Sequence, residues 1–251
     1  MTTIAVLADP PRAGLVATDL AATSPLTEAE AAEWYAAVLK DVLVAIDRSG
    51  GDLLVNYRPD DLLPDESVTG TASEAAVRAV AASALDDLDG VRFEPQVGST
   101  VAARAGNTVT HLLREEGVVS AAVVEPTIPF LTRPLIDSAA MKLRRSEVVL
   151  GASTRGRVYY AGFTEPIDFS DAFAHPALET LTERGRDAES EVDFLPMQPV
   201  VETGEDLLDA LPLLNARVAA ERPVPVHTAT VAADLGLQVA WDGAEPRVVR
   251  D

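Results

Sequence analysis

The sequence predicts an α/β protein, a three-layer α/β/α sandwich built around a mostly parallel mixed sheet. Three observations predict it. Strand-like and helical segments alternate almost throughout, the pattern of strands in one sheet joined by helices on both faces. The run Gly117 to Val124 holds small and β-branched apolar residues, follows a helical stretch and ends in a loop with two prolines, Pro126 and Pro129. That is how a fully buried central strand reads. The opening run, Thr3 to Ala8, has the same character. Ligands in open α/β sheets sit beyond the carboxyl ends of such strands, so Glu125 to Leu131 is expected to line the floor of any site.

The first strand, Thr3 to Ala8, ends in the loop Asp9 to Gly14. Thr27 and Glu30 then form a capping box, with Thr27 as N-cap and Glu30 at the third helical position. The helix they open carries Trp34, Tyr35, Val38, Leu39, Val42 and Leu43 at helical spacing and stops at Gly50-Gly51. Asp52 to Tyr57 is a second strand, and the acidic, proline-bearing stretch Arg58 to Ala72 a loop. Ser73 to Leu88 reads as an alanine-rich helix, Val91 to Gln96 as a short strand and Ser99 to Glu116 as a third helix. After the central strand come a helix over Leu135 to Leu143, a strand over Glu147 to Gly151, a loop over Ser153 to Val158 and a strand over Tyr159 to Phe163. Pro176 to Arg186 is helical, Val192 to Leu195 a strand, and Thr203 to Glu221 and Val226 to Leu235 are helices. No linker or repeat interrupts the pattern. It predicts one domain over residues 1–236 and a C-terminal extension over 237–251.

Composition excludes several chemistries. The 251 residues are 47% hydrophobic, enough for one large core. Forty acidic and 20 basic residues give a net charge of −20. Only Lys40 and Lys142 are lysines. The acids are dispersed, as on a surface that must stay hydrated in high salt, where the Debye length falls to about 3 Å. No basic patch is visible to neutralise phosphates, so a nucleic-acid partner is disfavoured. The absence of cysteine removes disulfides, thiolate nucleophiles and zinc–sulfur sites. No leader peptide or membrane-length apolar run is read, and the chain is expected to be soluble and cytoplasmic.

Catalytic signatures are sparse. His111, His175 and His227 fall on separate elements, and there is no G-x-S-x-G, Walker A or G-x-G-x-x-G sequence. Arg12 and Gly14 form either an anion-binding turn or a structural one. Arg155 and Arg157 flank Gly156; they either clamp a phosphate or carboxylate or pair with acidic neighbours. Thr203-Gly204-Glu205-Asp206 reads as a helix start with acids placed to complement the dipole.

Five weak motifs, in order, carry a resemblance. Gly14, Val16, Thr18 and Leu20 fit a K-x-P-x-x-G-x-V-K-T-R-L loop whose basic positions are here Ala17 and Asp19. Gln96 and Arg104 fit the ends of Q-x-x-G-D-L-G-E-R. Pro129 and Leu131 fit G-x-D-x-P-x-L, with Thr127 in place of its aspartate. Gly151 and Gly156 fit G-P-x-x-D-G-G-Y-x-L, with Arg155 in place of the aspartate. Glu202, Glu205, Asp206 and Leu207 fit D-V-D-T-P-E-D-L. Over about residues 4 to 235 the chain thus resembles the glycosyltransferase-like DUF2064 family, which has the GT-A, Rossmann-like nucleotide-diphosphosugar transferase fold.

The resemblance implies a nucleotide or nucleotide-sugar ligand held by Arg12, Gly14, Thr18, Thr127, Arg155, Gly156 and Tyr159. A GT-A site also needs carboxylates, because Mg²⁺ or Mn²⁺ takes hard oxygen ligands against a diphosphate leaving group. Glu125, which shares a strand face with Thr127, reads as a relocated ligand paired with Glu202, or as an ordinary loop carboxylate. The concerted changes at Ala17, Asp19, Thr127 and Arg155 lead to the expectation of a degenerate site and a binding, regulatory or assembly role, with a protein partner or homo-oligomer. The alternative is an active metal-dependent glycosyl- or nucleotidyltransferase with an altered site.

Overall fold

A computed structural model describes residues 1–243 and 245–250. A seven-stranded sheet runs through the centre in the order β3-β2-β1-β4-β6-β5-β7. Its strands are β1 (Thr2–Ala8), β2 (Asp52–Tyr57), β3 (Arg92–Pro95), β4 (Ser120–Val124), β5 (Val148–Ala152), β6 (Val158–Phe163) and β7 (Val192–Leu195). All neighbours are parallel except β6, which runs against both β4 and β5. β4 is the middle strand and β1 lies beside it, with Ile4 opposite Leu53 on one side and Ala122 on the other. All seven residues of β1 are buried.

The alternation of side chains along each strand divides the core in two. Ile4, Val6 and Ala8 face one layer, with Leu53, Val55, Ala122 and Val124 beside them. That layer is covered by α1 (Thr18–Thr23), α2 (Glu28–Asp47), α3 (Ser73–Ala82), α5 (Arg133–Lys142), α7 (Gly204–Ala219) and α8 (Val226–Asp234). Ala5 and Leu7 face the other layer, under α4 (Val101–Arg114) and α6 (Ala177–Asp187). The expected three-layer sandwich is therefore the observed one. No helix among the described residues is long and apolar enough to cross a membrane.

Local chemistry sets the elements as expected at α2, where Thr27 Oγ1 accepts the Glu30 N–H at 3.3 Å and Glu30 Oε2 accepts the Thr27 N–H at 2.8 Å. Several features depart from the sequence reading. The helix expected to run to Leu88 stops at Ala82. α1 was not anticipated: it is six residues long, and its N-cap, Ala17, offers no side-chain acceptor and sits at φ 50°. The helix expected from Leu135 begins at Arg133, because Pro134 fits the first turn, where a missing N–H costs nothing. In the C-terminal extension, β8 (Leu237–Asp242) and β9 (Glu245–Arg250) pair as a hairpin. It packs on α7, burying Leu237, and Arg250 pairs with Glu30 at 2.7 Å.

Candidate functional site

The order of the strands reverses between β1 and β4, and a ligand crevice opens at such a switch point beyond the carboxyl ends. Asp9 follows β1 there and Glu125 follows β4. The Arg58 N–H donates to the Ala8 carbonyl at 2.9 Å, and Arg58 Nη1 lies 3.2 Å from Asp9 Oδ2. The Asp9 N–H donates to Tyr35 Oη at 2.8 Å. Because β6 runs backwards, its first residues and the preceding loop, 153–157, also reach this edge. The Val201 N–H donates to the Thr127 carbonyl at 2.7 Å and so draws Glu202 across the β4 loop toward Glu125.

Glu125 is partly buried, and its carboxyl is pushed up to about 7. Burial is the main cause; repulsion from Glu202 and Asp9 adds to it, and Arg104 opposes it. Asp9 is also raised by burial, against the pull of Arg58 and Arg104. The structure thus gathers three carboxylates, two predicted and one not. Asp9 was missed although its place, one residue past the first strand, was the available signal.

Arg104, a motif match in the sequence to which no site role was given, is a further member. It lies on the buried face of α4, with Ala105, Thr108, Val109 and Leu112, and is 8% exposed. Its Nε has no hydrogen-bond partner, and its guanidinium makes no ion pair within 4 Å among the described residues. Burial lowers its pKa while Asp9 and Glu125 pull it back up. Gln96, at the end of β3, donates through Nε2 to the Asn56 carbonyl at 2.6 Å and leaves its buried Oε1 without a donor. An unpaired buried cation and an unpaired acceptor are costly without a partner, so both mark a place for a polar ligand.

The arginines of the 153–157 loop are engaged. Arg157 is buried, with Nη2 2.5 Å from Asp206 Oδ1, Nη1 2.8 Å from Asp206 Oδ2 and Nη1 3.2 Å from Glu202 Oε2. Arg155 Nη1 adds a bond to Asp206 Oδ1 at 3.0 Å, and its Nη2 reaches Glu205 at 2.8 Å. Asp206 Oδ2 also accepts from the Glu202 and Thr203 N–H groups and from Thr203 Oγ1. Burial opposes ionisation of Asp206, but the bonds from Arg157, Glu202 and Thr203 outweigh it and hold the carboxyl at about 2. The start of α7 is thereby locked to the β5–β6 loop.

The remaining predicted residues lie as follows. Arg12 donates to the Ser67 and Thr71 carbonyls, both at 2.6 Å, and stands 3.5 Å from Asp60. It straps down the 58–72 loop. Gly14, at φ 74°, completes a turn in which the Leu15 N–H donates to the Arg12 carbonyl at 3.1 Å. Thr18 is exposed at the start of α1. Thr127 donates its N–H to the Glu125 carbonyl at 2.8 Å. Tyr159 is buried, with its ring packed on Gly151 and its hydroxyl donating to the Pro196 carbonyl at 3.0 Å. Gly156, at φ 69°, lies where a Cβ would come 2.7 Å from Pro176. Glu125, Tyr159 and Tyr160 also border a cavity of about 10 Å³, room for one water at most.

No protein-family model and no curated protein sequence matches the chain. Solved structures do. A candidate nucleotide-diphospho-sugar transferase from Desulfovibrio desulfuricans G20 superposes with a TM-score of 0.71 at 21% identity, over 93% of this chain and 94% of that one. A cytidylyltransferase from Leptospira borgpetersenii serovar Hardjo-bovis matches with a TM-score of 0.50 at 11% identity, again over 93% and 94%. At these identities the likeness is one of fold, and that fold is the nucleotide-diphospho-sugar transferase type.

Proposed function

We propose that this chain is a divergent protein of the DUF2064 type that has replaced the metal-dependent transfer site with an arginine–carboxylate lattice. It acts as a metal-independent binding protein for a nucleotide or nucleotide sugar, in a regulatory or assembly role. The observation that carries the reading is Arg157, whose two terminal nitrogens engage Asp206 and Glu202 together.

A divalent ion does not fit this donor set. Mg²⁺ and Mn²⁺ need carboxylate oxygens free to turn toward them. Glu202 is held by Arg157, Asp9 is paired with Arg58, Asp206 has donors on both oxygens, and the Glu125 carboxyl is pushed up to about 7. Among the described residues, no group of three Asp, Glu or His side chains stands where it could hold a cation. The ligand's charge instead meets Arg104, a buried arginine of the crevice whose Nε has no hydrogen-bond partner among the described residues.

The test is thermal melting in molar KCl with a panel of nucleotides and nucleotide sugars, each with and without Mg²⁺ or Mn²⁺. At a hundredfold its Kd, a ligand adds about 2.7 kcal/mol of stability. The expected result is a shift with nucleotide alone, abolished in Arg104→Gln. A shift that requires both nucleotide and metal overturns the reading in favour of an active transferase site. No shift with any nucleotide removes the nucleotide-binding role.

A further inference from the structure

A second concavity lies away from the crevice, between α2, the residues that precede α5, and the α7–α8 connection. Its volume is about 380 Å³, within the range of small-molecule pockets. The floor is apolar: Phe130 is 2% and Leu131 6% exposed, with Val44 and Val224 beside them. The rim carries three arginines, Arg48, Arg133 and Arg217, of which Arg133 is paired with Asp137 at 3.2 Å.

Four facts set this groove apart. First, the chain carries −20 net charge, so any concentration of cations runs against its own background and gives a local reversal of potential. Second, Arg48 and Arg217 make no ion pair among the described residues; Arg217 only lies over the Phe130 ring, 5.1 Å from its centroid. Third, the single acid of the lining, Asp41, is already occupied. Its carboxylate accepts the His227 N–H at 3.1 Å, the Thr228 N–H at 2.8 Å and Thr228 Oγ1 at 2.7 Å, so its charge is directed into the start of α8. Fourth, α5 begins at the groove with no side-chain cap on its N-terminus, which adds to the positive potential there.

We propose that this groove is a second ligand site, which takes a small phosphate ester with an apolar body. The apolar floor accommodates the body, and the guanidinium forks on the rim match the phosphate oxygens. The site is independent of the crevice and of the nucleotide reading given above.

Phenyl phosphate and inorganic phosphate are the probes, titrated calorimetrically at fixed ionic strength. Phenyl phosphate is expected to bind about tenfold more tightly than inorganic phosphate, and the double variant Arg48→Gln, Arg217→Gln to lose about tenfold or more of that affinity. Arg104→Gln should leave it unchanged. The unsubstituted protein provides a second readout that does not depend on variant folding. Phenylglyoxal labelling followed by peptide mass spectrometry should show phenyl phosphate protecting Arg48 and Arg217, with Arg114 and Arg222 labelled as before. Wild-type affinity in the double variant, no binding, unprotected Arg48 and Arg217, or loss of binding in Arg104→Gln would each overturn the proposal. The last would move the ligand to the crevice.

Discussion

Glu125 is a carboxyl kept among other carboxyls, and this sets a testable pH dependence. Its ordinary value is 4.5, and the fold raises it to about 7 through burial first, then Glu202 and Asp9. Between those values the folded protein holds a proton that the unfolded chain has released. This group therefore makes stability increase as pH falls from about 7 to about 4.5. Asp206 acts in the opposite sense. It is lowered from 3.8 to about 2, so its contribution is complete above about 3.8 and is lost as pH falls toward 2. The summed contribution of these two groups is expected to be largest between the two windows, at about pH 4. Glu125→Gln should flatten the upper slope and stabilise the protein by about 2 kcal/mol at about pH 8. Urea unfolding at three pH values measures both effects, and an unchanged slope would show that Glu125 ionises freely in the folded state. At this scale the sequence revealed Glu125 and Glu202 but not their neighbours. Arg155 and Arg157 were read as open between ligand and carboxylate, because the register that brings α7 against the 153–157 loop is a tertiary fact. Arg104 did leave a signal: an arginine among Ala105, Thr108, Val109 and Leu112 on the apolar side of a helix is out of place in a surface role.

Between elements, the contact of α1 with α7 is the tightest constraint on the site. Gly204 opens α7, its N–H donates to Thr23 Oγ1 at 2.8 Å, and an added Cβ would collide with the Thr23 carbonyl. Backbone cannot yield as a side-chain tip can. Gly204→Ala is expected to push the helices apart and cost about 1–3 kcal/mol, the usual range for overpacking. It should also loosen Asp206, two residues on in the same first turn, from Arg157. Chemical denaturation gives the first effect, and the loss of the acid-side slope assigned to Asp206 gives the second. A variant as stable as the parent would show that α1 shifts freely. The alternation of helices and strands conveyed the layers and the mostly parallel mixed sheet, and the sense of its reversed strand, β6, is legible in a loop length. Only residues 153–157 separate β5 from β6, and a parallel return needs a crossover of a dozen residues or more. The loop length therefore already required an antiparallel pair. α1 stayed hidden for another reason: six residues without a capping side chain fall below what periodicity can register.

Across the whole molecule, the hairpin of β8 and β9 decides where the folding unit ends. Leu237 is 4% exposed, and Val239 and Val248 pack on the same core as α7. Removing residues 236–251 is expected to lower stability by about 2–4 kcal/mol, from the lost burial of these side chains. Denaturant midpoints of the full and shortened chains measure it, and equal midpoints would make the hairpin an appendage. The strand order has a consequence for biogenesis. β1 leaves the ribosome first, yet it pairs on one flank with β2 and on the other with β4, which begins at Ser120. At about 5–20 residues per second, that second flank waits roughly 6–24 s for its neighbour. β4 in turn waits for β6, which is made after β5. Throughout that interval a strand with five apolar residues of seven presents an unpaired ladder to the cell, so a nascent chain of this protein needs shielding until β4 has been translated.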